Sequence, residues 1–142
     1  MKKRLLRSNT RGVYKADDDD ALVADNPEIQ RIAEQIERRR EEMGKTSGFE
    51  RLYARVACLY FGGMKRHLSD LREILRPGAR LAYVVGDQAS YLRVMIRTGD
   101  LIAGIAEPLG YELVRKDLFR TRFSTATKEQ LREEVVILRW PG

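Results

Sequence analysis

The apolar run Leu81-Ala82-Tyr83-Val84-Val85 ends in Gly86-Asp87-Gln88. A run of this kind reads as a strand, and in open α/β sheets the carboxyl edge of a strand is where ligands and chemistry collect. Gly86, Asp87 and Gln88 are therefore the candidate rim of a site. The competing reading for Asp87 is a turn or helix-capping carboxylate.

Other reactive residue types are sparse. Cys58 is the only cysteine, so no intrachain disulfide forms and a Cys-rich metal site is excluded. Its neighbours Val56, Ala57, Leu59 and Tyr60 point to a buried, inert thiol. His67 is the only histidine, which rules out His-pair ligation, and beside Lys65, Arg66 and Ser69 it reads as a solvated side chain. Asp17-Asp18-Asp19-Asp20 reads as a solvated loop, since a metal would need a second, spaced set of oxygens. No metal site is expected.

Charge suggests a partner class. The 142 residues carry a net +6, with 43% hydrophobic and 34% charged residues, enough for one domain with a real core and a heavily solvated surface. A sequence pI near 9.7 favours acidic partners. Lys2, Lys3, Arg4, Arg7, Arg11 and Lys15 form a basic arm, which the four aspartates could instead neutralise internally. Arg7, Arg11 and Lys15 are the candidates for phosphate contacts. A second basic cluster comprises Arg115, Lys116, Arg120, Arg122, Lys128 and Arg132, interleaved with Tyr111, Phe119 and Phe123. Exposed aromatics there would suit base stacking, whereas Tyr111 and Phe119 at strand positions would ordinarily be core. No apolar run approaches the roughly 18 residues needed to span a bilayer, and the N-terminus lacks a signal-peptide core, so a cytoplasmic protein is expected.

The positioning elements follow from local patterns. Asn26-Pro27 starts a helix whose apolar face is Ile29, Ile32, Ala33, Ile36 and Met43, and Gly44 stops it. A second helix runs from about Phe49 to Leu75, with Gly62-Gly63 marking a bend or a close approach. Leu81–Val85 is a strand of the kind covered on both faces. Thr98 caps a helix through Leu101, Ile102, Ile105 and Ala106 that Pro108 ends or bends and Gly110 closes; Tyr111–Arg120 and Glu134–Trp140 are strands, read as antiparallel neighbours because the Phe123–Leu131 connection between them lacks a clear crossover helix. The expectation is an α/β fold with a small mixed sheet, an N-terminal arm and acidic loop over residues 1–25, and the α/β domain over 26–142.

The segments Leu71-Arg72-Glu73-Ile74-Leu75-Arg76-Pro77-Gly78, Val84-Val85-Gly86-Asp87, Leu101 to Tyr111 and Glu134 to Trp140 resemble the C-terminal half of a class I S-adenosylmethionine-dependent methyltransferase. They match the lead-in to its fifth strand, that strand's end, the helix before its sixth strand, and its seventh strand. Ala79 stands where the family usually has a second glycine. More narrowly, Leu6 to Arg11, Gly44 to Arg51, Tyr60 to Met64 and Val84 to Tyr91 are similar to site-specific DNA methyltransferases that modify exocyclic amino groups of cytosine or adenine. The resemblance implies a partial Rossmann-like sheet of strands five to seven, mixed in direction, with an antiparallel seventh strand inserted between the fifth and sixth, and with N-terminal helices. It also implies DNA as partner, a restriction-modification setting, and S-adenosylmethionine as cofactor of the complete enzyme.

The family's Pro-Pro-aromatic catalytic motif has no counterpart, because Pro27, Pro77, Pro108 and Pro141 are isolated. The glycine turn that binds the cofactor is missing as well. No residue is carried over as catalytic, and no cofactor is expected for this chain alone. Two functions compete: a fragment or subunit of a DNA methyltransferase, inactive by itself, or a non-catalytic basic module that binds nucleic acid or another polypeptide. The free edge at Leu81–Val85 would favour docking of the missing half or self-association.

Overall fold

The computed structural model describes residues 6–7, 13, 16–45, 48–125 and 127–142. The chain divides into two compact units, Met1–Arg66 and His67–Gly142. Among the described residues the fold is mixed α/β, with three α-helices and a three-stranded antiparallel sheet.

In the first unit a 3-10 turn, Asp19–Val23, precedes helix α1, Pro27–Glu42. The Asn26 side chain accepts the Ile29 N–H at 3.1 Å and Pro27 occupies the first turn, as the sequence anticipates. Ile29 and Ile36 are fully buried, but Met43 lies past the helix end and is exposed. Helix α2, Tyr53–Leu71, starts directly after the 3-10 turn Phe49–Leu52. Gly62 and Gly63 mark close packing. A Cβ at Gly62 would sit 1.8 Å from the Asp19 carbonyl oxygen, and one at Gly63 2.3 Å from Leu6 Cδ1. Lys65 donates to the Leu22 carbonyl at 2.9 Å and Arg66 to the Asp19 carboxylate at 2.8 Å, fastening the same turn to the helix.

Helix α2 ends at Leu71, four residues before the expected Leu75, and Ile74 stands exposed. Pro77 follows closely, and a proline disfavours helical backbone in the residue before it. Gly78, at φ +87, turns the chain into strand β1, Ala79–Gly86. Helix α3, Thr98–Ala106, continues as a 3-10 turn, Glu107–Leu109, and Gly110 at φ +104 closes it. Strands β2, Glu112–Phe123, and β3, Gln130–Trp140, form a hairpin longer than the sequence suggests.

The strand order is β1-β3-β2. β3 is antiparallel to both neighbours, pairing Leu81 with Leu138 and Tyr83 with Val136 on one side and Leu113 with Leu138 on the other. The expected mixed sheet is thus corrected: β1 and β2 share a direction, but β3 lies between them, so every hydrogen-bonded pair is antiparallel. Helix α3 packs against all three strands and, with Val136 and Leu138, makes the core of this unit. Tyr111 belongs to that core, its hydroxyl donating to the Leu68 carbonyl at 2.7 Å and its ring 5.2 Å from Trp140.

The expectation that β1 is covered on both faces also fails. Its residues alternate between half-buried (Ala79, Leu81, Tyr83, Val85) and exposed (Arg80, Ala82, Val84, Gly86), and Val84 is 71% exposed. A strand in an antiparallel sheet needs only one covered face, and a run of five apolar residues does not disclose which.

Candidate functional site

Asp87 follows the last residue of β1 and is 4% exposed. Its N–H donates to the Arg132 carbonyl at 2.9 Å, continuing the β1–β3 ladder by one step. In return its Oδ2 accepts the Arg132 N–H at 3.0 Å, Arg132 Nε at 2.9 Å and Arg97 Nη1 at 2.6 Å. Arg132 reaches on to the Asp100 carboxylate at 3.0 Å, and Lys116 closes on the other oxygen of Asp100. Arg97 also donates to the Gln130 carbonyl at 2.9 Å. One buried carboxylate therefore joins the end of β1, the start of β3 and the residue preceding α3.

The electrostatics follow from that geometry. Burial opposes ionisation of Asp87 most strongly, but the bonds from Arg132 and Arg97 outweigh it, and the carboxyl is held below its ordinary value. Asp100 is lowered in the same way, with burial opposed by Lys116 and Arg132. Both are ionised and engaged at neutral pH. Asp87 is an anchor whose lone pairs are already occupied by cations.

Gly86 is exposed and Gln88 half-buried. Gln88 and Ile96 exchange backbone hydrogen bonds of 3.0 and 2.7 Å, which close residues 88–96 into a short excursion from the sheet edge. At its tip Leu92 and Arg93 have φ of 55° and 64°, a left-handed conformation that is costly for such side chains. Beside this network lies Glu134, 4% exposed, with an Oε1 that has no hydrogen-bond partner among the described residues. A Cβ at Gly99 would stand 2.2 Å from that oxygen, so the carboxyl packs on the first turn of α3, where unpaired N–H groups favour negative charge.

Of the basic candidates, Arg7, Arg120 and Arg122 fall among the described residues. Arg7 is 5% exposed and bidentate on Asp17, at 2.9 and 3.1 Å, so at this position the acidic run does neutralise the arm. Arg11 and Lys15 lie outside the described residues. Arg120 and Arg122 are exposed and converge on Glu133. Arg120 is bidentate, one contact at 3.0 Å, and Arg122 lies 3.9 Å away. Their charges hold the Glu133 carboxyl below its ordinary value, chiefly through the Arg120 bond, and one carboxylate leaves one of the two positive charges uncompensated.

Phe119 and Phe123 are each 55% exposed. Phe119 is thus not core. It falls at a bulge between Leu118 and Arg120, where the register on β3 advances by only one residue. The roles of Arg97, Asp100 and Glu134 were missed from sequence. Glu134 opening the apolar run Val135-Val136-Ile137-Leu138 was the available signal.

The remaining candidates are quiet. Cys58 is buried, its thiol pushed up by burial, and Gln30 Nε2 lies 4.0 Å from its sulfur. It lines a groove of about 340 Å³ with Ala21, Ala24, Ala33, Ala54 and Arg55, and none of Gly86, Asp87 and Gln88 contributes to it. His67 Nε2 and the Tyr83 hydroxyl are 2.8 Å apart, and burial pushes the Tyr83 phenol up to about 12. No group of three metal-ligating side chains occurs among the described residues. No described helix is long and apolar enough to cross a membrane.

The Gly62-Gly63 pair lies buried inside α2 against the Asp19 carbonyl and Leu6, where it cannot cradle a cofactor. Comparison of the chain with protein-family models, curated proteins and solved structures found no match.

Proposed function

We propose that this chain is a non-catalytic, nucleic-acid-binding part of a methyltransferase-like protein. It corresponds to the C-terminal portion of a Rossmann-like sheet from a site-specific DNA methyltransferase, either as a fragment or as a subunit. The observation that carries the reading is the strand order β1-β3-β2, in which the final strand enters antiparallel between two strands of common direction. That order is the one the resemblance implies for strands five, seven and six. The Arg76-Pro77-Gly78 turn into β1 supports it. No step of methyl transfer is assigned to this chain, because its carboxylate at the strand edge is occupied by Arg97 and Arg132.

A second reading, a stand-alone nucleic-acid-binding module, is favoured by the exposed Phe119 and Phe123 beside Arg120 and Arg122 on one strand. Aromatic faces can stack on bases while guanidinium groups meet phosphates.

Titration calorimetry and salt-dependent DNA binding test both. The isolated chain is expected not to bind S-adenosylmethionine, and micromolar affinity would refute the assignment to a part lacking the cofactor site. Fluorescence anisotropy with labelled single- and double-stranded oligonucleotides should give binding that weakens steeply with salt. Each phosphate that a cation neutralises adds about 0.7 to 0.9 to the slope of log K against log salt, so Arg120→Ala with Arg122→Ala should lower that slope by about 1.4 to 1.8. An unchanged slope removes the hairpin from the interface, and no binding at low salt refutes the nucleic-acid role. For the subunit reading, a neighbouring reading frame with a glycine-turn cofactor motif and a Pro-Pro-aromatic motif is expected, and its absence would argue for the stand-alone module.

A further inference from the structure

The sheet has two edges and they are built differently. β2 carries two register shifts in its pairing with β3 and five charged residues between Arg115 and Arg122. Bulges and charges are how natural edge strands resist pairing with another chain. β1 has neither defence. Its eight residues pair with β3 without a bulge, contain no proline, and include a single charge, Arg80.

The direction of its hydrogen bonds follows from the ladder. Asp87 donates to Arg132, which puts the odd-numbered residues of β1 in the hydrogen-bonded positions toward β3. The N–H and C=O groups of Arg80, Ala82, Val84 and Gly86 then point to the free edge. The same four residues are exposed, and on that face Ala82 neighbours Ile137 while Val84 neighbours Val135.

We infer that β1 is a dimer edge, at which two copies of this chain pair β1 with β1 antiparallel about a two-fold axis at Tyr83. The two three-stranded sheets become one sheet of six. This register sets Arg80 opposite Gly86 of the second copy and Ala82 opposite Val84 of the second copy. The occupant follows from self-complementarity. Val84, 71% exposed, gains an apolar neighbour. Each row then runs Ile137, Ala82, Val84, Val135 across the axis, an unbroken apolar stripe on four strands. Arg80 meets a glycine, so no cation opposes a cation. About eight backbone hydrogen bonds close between the copies in this register.

The inference uses only the strand and does not rest on the nucleic-acid reading. It is tested by sedimentation velocity and light scattering of the full chain from about 5 to 100 µM, a range over which a weak dimer assembles. A mass of twice 16.4 kDa is expected, with concentration-dependent amide protection at Arg80, Ala82, Val84 and Gly86. Ala82→Lys with Val84→Lys sets two cations opposite two cations and should return a monomer. Its circular dichroism and Trp140 fluorescence should be unchanged, because both side chains face solvent within one copy. A monomer across the whole range overturns the proposal and leaves the edge to a strand from a different polypeptide. A dimer that survives the double substitution, or open-ended assembly in place of a dimer, overturns it equally.

Discussion

Replacing Asp87 by asparagine removes one charge and keeps the side chain's shape. The carboxylate accepts three close bonds, from Arg97 at 2.6 Å, Arg132 Nε at 2.9 Å and the Arg132 N–H at 3.0 Å. Hydrogen bonds to charged groups contribute about 1.5–3 kcal/mol each, so an upper limit for the cluster is several kcal/mol. Two features reduce it. An asparagine oxygen can still accept the Arg132 N–H, and the guanidinium groups, 28% and 35% exposed, can rehydrate. A loss of about 2 kcal/mol is therefore expected. With a urea m-value of about 1.5–2 kcal/mol/M, the midpoint should fall by about 1 M at unchanged slope. Trp140, the only tryptophan, lies on β3 in the same unit and reports the transition.

The pH dependence supplies a second check. Because the folded-state carboxyl is lowered, its stabilisation is present above the unfolded value near about 3.9 and disappears as pH falls through the folded one. The gap between the wild type and Asp87→Asn should therefore be constant near neutrality and close below pH 4. A midpoint shift under about 0.3 M, or a gap independent of pH, would refute the anchor role.

Two further expectations concern side-chain space and burial. Gly62→Ala adds a methyl 1.8 Å from the Asp19 carbonyl and should destabilise the first unit by about 1–3 kcal/mol, whereas Gly104→Ala meets nothing within 4 Å and should stabilise the second by about 0.5–1 kcal/mol. Thermal unfolding of the two variants checks the opposite signs, and equal effects would contradict the packing described. Cys58 should react with a thiol reagent only after unfolding, because burial both hides the sulfur and pushes its thiol up. Stoichiometric labelling of the native chain within seconds would refute that.

What the sequence by itself determined about this protein is what short-range physics controls. The Asn26-Pro27 start of α1, the turn at Pro77-Gly78, the antiparallel pairing of the last two strands and the burial of Cys58 all depend on residues within a few positions of one another. The tertiary structure alone decided the environment of the candidate site. Asp87 is ten residues from Arg97 and forty-five from Arg132, so nothing local indicates that its charge is compensated. The same limit hid the bulge that leaves Phe119 exposed and the single covered face of β1. Strand propensity specifies that a segment extends. Which face and which edge remain open depends on what the rest of the chain brings against it, a non-local balance that no window of residues contains.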